Sequence, residues 1–420
     1  MKTGNVLLLL AFLSFSHVSG QESDLAVSYY HFSQAKMHEF NAEYPEAISE
    51  FEKAISFDSR SARLRVEFAR ALLKTGNVNR AVQQCQTAIE LDPADGAPRF
   101  LLGQIYSNLS DEAEENVEQA ILEFERTVEL DPEHFEALFY LGQFQLERKN
   151  YQSAVSSLSQ FLQLRPWVAR AYLLKSRAHR GLSDLEAAVE TLERSREYDE
   201  ANLEVVRELG QLYEDAKEYE KASGLYGEFL AVAENFDIEF RQALVLSQQE
   251  RLVEAVSILR RLSDNAPDNL RLKVFLGEVL KKRKSYAEAA EIFRQVLEVE
   301  PNNFTANFRL GESLAQLGER QQAIERFLRL LEINGSDQDR VLIQTSLAFV
   351  YQDARQFDKS ADLFQTIIRE NPEDDLARLR LAYLFKESGQ LEEALALSDE
   401  LLSKCWDSSY EKNSLKKYYV

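Results

Sequence analysis

The sequence of 420 residues has few of the residues that make tight turns, with only 15 glycines and 8 prolines. Sandwiches and barrels need such turns at short intervals, so this scarcity argues against a strand-rich fold. The frequent residues are Glu, Leu, Ala, Arg and Gln, which favour helices. Hydrophobic residues make up 45% of the chain and charged residues 28%, which argues against disorder. The composition therefore predicts a folded, helical chain.

Cysteine and positive charge are also scarce. Only Cys85 and Cys405 are present, whereas a secreted protein that depended on disulfides would carry more. We interpret Cys85 as a small core residue and leave the role of Cys405 open. The chain has 70 acidic residues against 49 basic ones, a formal net charge of −21. This excess predicts that the chain as a whole binds neither nucleic acid nor anionic lipid surfaces.

The first twenty residues have the order of a secretory signal. Lys2 is positive, residues 6–15 are apolar, and Val18, Ser19 and Gly20 offer small residues at a cleavage site. The alternative is a membrane anchor, but this apolar stretch is much shorter than the roughly 20 residues that a spanning helix needs. We predict a signal peptide at 1–20, a mature chain that is secreted or periplasmic, and no membrane span.

A small residue recurs along the chain, and seven of the ten intervals between its copies are 34 residues. The copies are Ala47, Ala81, Ala120, Ala154, Ala188, Ala222, Ala255, Ala289, Ala323, Ser360 and Ala394. A large apolar residue follows four positions later in most copies, as Phe51, Phe124, Leu158, Leu192, Tyr226, Leu259, Phe293, Phe327 and Phe364. A glycine or other small residue comes twelve positions earlier, for example Gly142 and Gly277, and a proline often comes twelve positions later.

This pattern predicts two amphipathic helices in each repeat. A length of 34 residues holds two helices of three to four turns and short connections. The small residues are expected where the two helices cross, and the large residue should fill the hole between neighbouring repeats. Proline cannot continue a helix, so it separates one repeat from the next.

The pattern resembles the tetratricopeptide repeat family over residues 28–408, in about eleven copies. The Trp that is usual near the start of the first helix is missing, Ser176 replaces one Gly, and Ser398 replaces the last large residue. The resemblance implies an all-α fold, a right-handed superhelical α-solenoid of helix-turn-helix repeats. Residues 409–420 are expected to form a C-terminal tail or a capping helix.

No motif for catalysis stands out. The sequence has no phosphate-binding Gly-rich loop with a lysine, no nucleophile elbow, no two-His zinc helix and no calcium loop. His31 and His38 lie seven residues apart on one predicted helix face, as a metal pair would, but they fall at packing positions of the first repeat, which favours a packing or capping role. We predict no enzyme activity, no catalytic residue, no metal and no cofactor. The extra residues around Asp111, Glu112, Glu114 and Glu115 are expected to form a solvated loop in preference to the alternative, a docking loop.

The resemblance implies that the first helix of each repeat lines a concave groove that binds a partner. Its fifth position is Phe32, Phe100, Phe139, Phe240 and Phe308 in five copies, and basic residues gather on the same helices. We predict a peptide or partner site at Phe100, Phe139, Phe240, Phe308, Arg70, Arg170, Arg177 and Arg180, with the phenylalanines partly exposed. The alternative is that the aromatic residues pack in the core and the basic residues pair with Glu one turn away.

These features predict a non-catalytic scaffold that holds an extended peptide or partner protein outside the cytoplasm. Two alternatives stay open: a stable subunit of a cell-envelope or secretion assembly, and an adaptor or regulatory subunit of a separate enzyme. The repeats fill nearly the whole sequence, which disfavours a catalytic domain within it. The identity of the partner and the oligomeric state are not indicated by the sequence.

Overall fold

A computed structural model describes residues 20–110, 113–332 and 336–407, which contain 22 helices and no strand. The helices are α1 Gly20–Phe40, α2 Tyr44–Phe57, α3 Ala62–Lys74, α4 Val78–Leu91, α5 Ala97–Asn108, α6 Glu114–Leu130, α7 Phe135–Glu147, α8 Tyr151–Leu164, α9 Ala169–Gly181, α10 Leu185–Arg196, α11 Leu203–Asp215, α12 Tyr219–Val232, α13 Phe236–Gln248, α14 Leu252–Asn265, α15 Leu270–Lys282, α16 Tyr286–Val299, α17 Phe304–Gln316, α18 Arg320–Glu332, α19 Asp337–Asp353, α20 Phe357–Glu370, α21 Asp375–Glu387 and α22 Leu391–Asp407. The predicted all-α fold is confirmed.

The chain divides into two compact units at residues 212 and 213. In each unit an odd-numbered helix, here called a first helix, packs against the even-numbered second helix that follows it; α11, which spans the division, is left out of this description. First helices also contact one another directly, α3 with α5 and α7 with α9 in the first unit, and α15 with α17 and α17 with α19 in the second. Among the described helices no two second helices make a comparable contact. The first helices of each unit are therefore the more closely spaced row.

The recurring small residue lies at the crossing of paired helices, as predicted. From Ala47 to Ser360 every copy is completely buried, and Ala394 is 8% exposed. Ser360 is tolerated at this buried position because its hydroxyl donates to the Ala348 carbonyl oxygen at 2.8 Å. In another pair, Ser176 of the first helix α9 is also buried, and its hydroxyl donates to the Ala188 carbonyl oxygen of α10 at 3.1 Å. The small residue is thus needed for close approach of the helices.

The large residue packs over the small residue of its paired helix. A Cβ atom added to Gly142 would lie 2.5 Å from Cγ of Leu158, and one added to Gly277 would lie 2.6 Å from Cε1 of Phe293. Such distances leave no room for a side chain on either glycine. Phe124 also stacks on Tyr140 of the next pair, with ring centroids 5.1 Å apart. The large residue therefore joins the two helices of a pair and, as predicted, the neighbouring repeats.

The turn between the two helices of a pair repeats one backbone conformation. Ten turns place a residue with positive φ five positions before the small residue. Glycine occupies this position only at Gly76, Gly318 and Gly389, with φ from 74° to 83°. The other seven turns use residues such as Lys284, at φ 64°. A side chain with a Cβ atom is strained in this left-handed region.

Lys284→Gly is expected to raise the free energy of unfolding by about 0.5–1 kcal/mol. Glycine relieves the strain at φ 64°, and the exposed Lys284 side chain has no hydrogen bond or ion pair to lose among the described residues. Urea denaturation of the two proteins measures the difference. The converse change, Gly318→Ala, should lower the free energy of unfolding. A lower stability of Lys284→Gly would contradict this account of the turn.

Several sequence predictions concern residues at the edges of the described segments. The predicted signal peptide, apart from Gly20 at the start of α1, lies outside the described residues, as do Asp111, Glu112 and the tail at 409–420. Glu114 and Glu115 do not lie in a loop, because they form the first turn of a lengthened α6, where negative charge is favourable. Cys85 is completely buried, as predicted, and burial raises the pKa of its thiol to about 12.

Candidate functional site

A cleft on the first helices of the first unit lies between α7 and α9 and has a volume of about 480 Å³. We call it the α7–α9 cleft. It is lined by Phe135, Glu136, Phe139, Tyr140, Gln143, Phe161, Val168 and Arg170. Phe139 and Arg170, two of the residues predicted to bind a partner, therefore line the same cleft.

Aromatic rings form the floor of the α7–α9 cleft. The Phe139 ring lies 5.2 Å from the Phe161 ring and 6.4 Å from the Tyr140 ring, measured between centroids. Phe161 comes from the second helix α8 and is buried, whereas Phe139 and Tyr140 are half-buried. A side chain from a partner can therefore contact the Phe139 ring without a rearrangement of the core.

Two guanidinium groups lie over aromatic rings in the cleft and beside it. Cζ of Arg165 is 4.1 Å from the centroid of the Phe135 ring and 5.7 Å from that of Trp167, and Cζ of Arg170 is 5.7 Å from that of Phe139. Such contacts contribute about 0.5–1 kcal/mol at exposed sites. Among the described residues no carboxylate lies within ion-pair distance of either arginine. Trp167 is 61% exposed. The cleft, together with Arg165 and Trp167 beside it, thus combines exposed aromatic surface with unpaired positive charge.

The structure contradicts the predicted exposure of two phenylalanines. Phe100 is only 9% exposed because two rings of the next pair cover it. The His134 ring lies 4.4 Å from the Phe100 ring, and the Tyr140 ring lies 6.3 Å from it, measured between centroids. Phe308 is 5% exposed because it stacks on Phe304 and lies edge-to-face on Phe327. Both residues pack in the core, the alternative considered for the aromatic set, so neither presents a free ring to a partner.

Phe240 keeps the exposure that was predicted for it. It is half-buried in the second unit, and its ring lies edge-to-face on the Phe275 ring at 5.5 Å.

First helices α15, α17 and α19 of the second unit form another cleft of about 500 Å³, which includes Phe349. Cζ of Arg380 lies 5.2 Å from the centroid of the Phe349 ring. The lining of this cleft in the second unit also carries charges of both signs, and within it Lys281 pairs with Glu312 at 2.5 Å.

The predicted arginines differ in their partners. Arg177 donates to Glu208, with Nε 2.8 Å from Oε1, and this pairing raises its pKa. Nε of Arg70 lies 3.9 Å from Oε1 of Glu67, which also accepts from another cation. Arg180 is exposed, and no carboxylate among the described residues pairs with it. Arg170 and Arg180 are therefore the predicted arginines with charge left for a partner, whereas Arg177 is already neutralised.

Sequence reasoning missed Arg165 and Trp167. They flank Pro166 in the connection between α8 and α9. The corresponding connections carry acidic, polar or small residues, as in Asp92-Pro93-Ala94 and Asp131-Pro132-Glu133. The replacement of an acidic residue by arginine and of a small or polar residue by tryptophan was a visible departure from the repeat. A comparison of the copies at this connection could have found both residues.

His31 and His38, which were predicted to pack or cap, each contact a different glutamate. Nδ1 of His31 lies 2.6 Å from Oε2 of Glu50, and Nδ1 of His38 lies 2.6 Å from Oε2 of Glu43. Within the described segments no group of three or more His, Cys, Asp or Glu side chains could hold a metal ion. Over the same residues, no helix is both long and apolar enough to cross a membrane.

Solved structures of other helical proteins resemble parts of the chain. A MamA protein is 17% identical, with a TM-score of 0.38, over 41% of this chain and 92% of that one. YrrB, described as a TPR protein with an unusual peptide-binding site, is 20% identical, with a TM-score of 0.38, over 44% and 95%. Naa15, in a complex with Naa10 and HypK, is 16% identical, with a TM-score of 0.47, over 91% and 64%. No curated protein matches the chain significantly.

Family models identify the repeat directly. Two models described as tetratricopeptide repeat match the sequence, one over residues 41–105, 280–343 and 351–404 and the other over residues 109–169, 173–228 and 240–298. The matches cover most of the chain in both units, in agreement with the helix pairs and the small residues at their crossings. The chain belongs to the tetratricopeptide repeat family.

Proposed function

We propose that this protein is a non-catalytic interaction scaffold that binds an extended segment of a partner protein in the α7–α9 cleft. The observation that supports this most is the combination of a half-buried Phe139, an exposed Trp167 and two unpaired guanidinium groups beside them. Aromatic and arginine side chains of this kind dominate the energy of protein interfaces. The repeat family itself is one of protein–protein interaction.

The cleft favours a particular chemistry in the bound segment. An apolar or aromatic side chain would lie against Phe139 and Phe135, whose rings line the floor. An acidic residue nearby would pair with Arg165 or Arg170, because neither has a carboxylate partner among the described residues. The exposed Arg180 lies on the same helix as Arg170 and extends the positive charge toward the end of α9. The bound segment therefore contains an apolar or aromatic residue with an acidic residue before or after it.

Selection from a library of random linear peptides on residues 21–420 tests this proposal. Peptides that bind the cleft should share one apolar or aromatic residue and at least one acidic residue close to it. Counter-selection on the double variant Phe139→Ala/Arg170→Gln removes peptides that bind elsewhere. Peptides that bind wild type and the double variant equally, or that share a basic consensus, would contradict the proposal.

We further propose that the protein acts outside the cytoplasm, on the basis of Lys2, the apolar residues 6–15 and the small residues that end at Gly20. N-terminal sequencing of the protein isolated from its host should then give Gln21 as the first residue. A chain that still begins at Met1, or that fractionates as an integral membrane protein, would contradict export with cleavage.

A further inference from the structure

A second cleft of the first unit lies between α8, α9 and α10 and has a volume of about 370 Å³. We call it the α8–α10 cleft, and its polar lining includes Gln163, Lys175, His179, Glu190 and Arg194. Lys175 and His179 are one turn apart on α9, on the side of that helix away from Arg170 and Arg177. The α8–α10 cleft is therefore separate from the α7–α9 cleft and does not depend on the function proposed above.

Two cations in this cleft have no counter-charge in contact with them. Lys175 is half-buried, and neither its ammonium group nor the Arg194 guanidinium has an ion-pair partner among the described residues. Burial, followed by the positive charge of Arg194, lowers the pKa of Lys175. A half-buried cation beside a second cation is stabilised when an anion lies between them. This lining is thus arranged to gain from a negative ligand.

His179 adds a polar atom without a partner. Its Nδ1 atom is buried, and no donor or acceptor of the described residues reaches it. Burial and the nearby charge of Lys175 lower the pKa of His179, so the imidazole is neutral at pH 7. Gln163 is exposed in the lining of the same cleft, so its amide can donate to a ligand. The cleft therefore offers a ligand oxygen the exposed amide of Gln163 beside the two cations, while the half-buried His179 lies close enough to report on their charge.

The charges and walls of the cleft narrow the class of ligand. Lys175 and Arg194 are opposed by the single carboxylate of Glu190, so the lining carries one net positive charge at neutral pH. One negative charge balances it, whereas a phosphate dianion would exceed it beside Glu190. Leu162 and Tyr172 form an apolar wall. The volume falls in the range of small-molecule pockets, about 300–1,000 Å³, and is larger than a carboxylate alone needs.

We propose that the α8–α10 cleft binds a small organic monocarboxylate, with its carboxylate between Lys175 and Arg194 and its apolar body against Leu162 and Tyr172. The same group could be presented by a free acid or by the carboxyl end of a peptide. Both sources share the charge and the apolar body that the lining selects.

Calorimetric titration of the full chain with benzoate tests the proposal, and benzamide is the neutral control of the same shape. We expect benzoate to bind and benzamide not to bind. Acetate should bind more weakly than benzoate because it makes no contact with Tyr172. A peptide that ends in Phe, with a free or an amidated C-terminus, then shows whether a chain end also enters. No heat with benzoate, or tighter binding of inorganic phosphate, would overturn the assignment.

Two variants locate the site. Lys175→Met keeps the volume of the side chain, and Arg194→Gln keeps its polarity; each should weaken benzoate binding about tenfold. Lys149→Met removes the same charge from an exposed turn of the same unit and should leave the affinity unchanged. Lys175→Met should fold, because it removes an unpaired half-buried cation. Equal affinity in Lys175→Met, Arg194→Gln and wild type would overturn the proposal.

His179 provides a readout inside the cleft. The charged groups that face it are Lys175 on its own helix, Asp184 in the following turn, and Glu190 and Arg194 on α10. A bound carboxylate adds a negative charge, so it should raise the pKa of His179, measured by NMR of the labelled imidazole with His179→Gln for assignment. An unchanged His179 titration at saturating benzoate would place the ligand elsewhere and overturn the proposal.

Discussion

Replacing Phe293 by alanine is expected to lower the free energy of unfolding by about 3–5 kcal/mol. The Phe293 side chain is completely buried in the second unit and packs directly over Gly277 of the paired helix. Because Gly277 has no side chain, nothing can fill the cavity that the truncation leaves. Urea denaturation followed by circular dichroism measures the loss.

Val299→Ala is the control for this experiment. Val299 belongs to the same helix, α16, but is 66% exposed, so its truncation should change the stability by less than about 0.5 kcal/mol. A comparable loss in both variants would mean that the buried contact between Phe293 and Gly277 is not what joins the helices. The contrast therefore tests the packing rule that runs through both units.

Replacing Phe139 by alanine is expected to weaken binding of a selected peptide by about 2 kcal/mol, or roughly thirtyfold, with little loss of stability. The Phe139 ring is half-buried in the α7–α9 cleft, where a ligand can cover it. Phe100→Ala should do the opposite, since Phe100 occupies the same repeat position but is covered by His134 and Tyr140. It should lower the stability by about 3–5 kcal/mol and leave the peptide affinity unchanged.

Fluorescence anisotropy of a labelled peptide gives the affinities, and denaturation of the same samples gives the stabilities. Trp167→Ala supplies a third point, because Trp167 is 61% exposed and should affect binding but not folding. If Phe139→Ala loses stability and keeps normal affinity, the half-buried ring serves packing alone and the proposed site is wrong.

The helix pairs could be predicted from the sequence because their constraint is local and repeated. Ala289 is completely buried where its helix crosses the helix that carries Gly277. Such a position admits only small residues, so a small residue recurs in every repeat. The large residue is equally constrained, as Phe293 shows. These requirements act within one pair and are therefore visible as periodicity in a single sequence.

The exposure of the fifth position could not be predicted in this way. Phe100 and Phe139 occupy the same position in successive pairs, yet the next pair covers Phe100 with His134 and Tyr140 and places Arg170 over Phe139. The exposed fraction therefore depends on residues one repeat away, which the register of the position itself does not reveal. Arg177 shows the same limit, because its partner Glu208 lies on the next first helix.

Site-specific photo-crosslinking tests the central claim most directly. A benzophenone amino acid is placed at Gln143, which lines the α7–α9 cleft on a first helix, or at Gln152, which is exposed on the second helix α8. The proposed function predicts that a selected peptide, at a concentration near its Kd for wild type, crosslinks to the probe at Gln143 and not to the probe at Gln152. Phe139→Ala should strongly reduce the crosslink at the same concentration. Crosslinking at Gln152 alone, or a crosslink at Gln143 that is as strong in Phe139→Ala as in wild type, would contradict the binding of partners in this cleft.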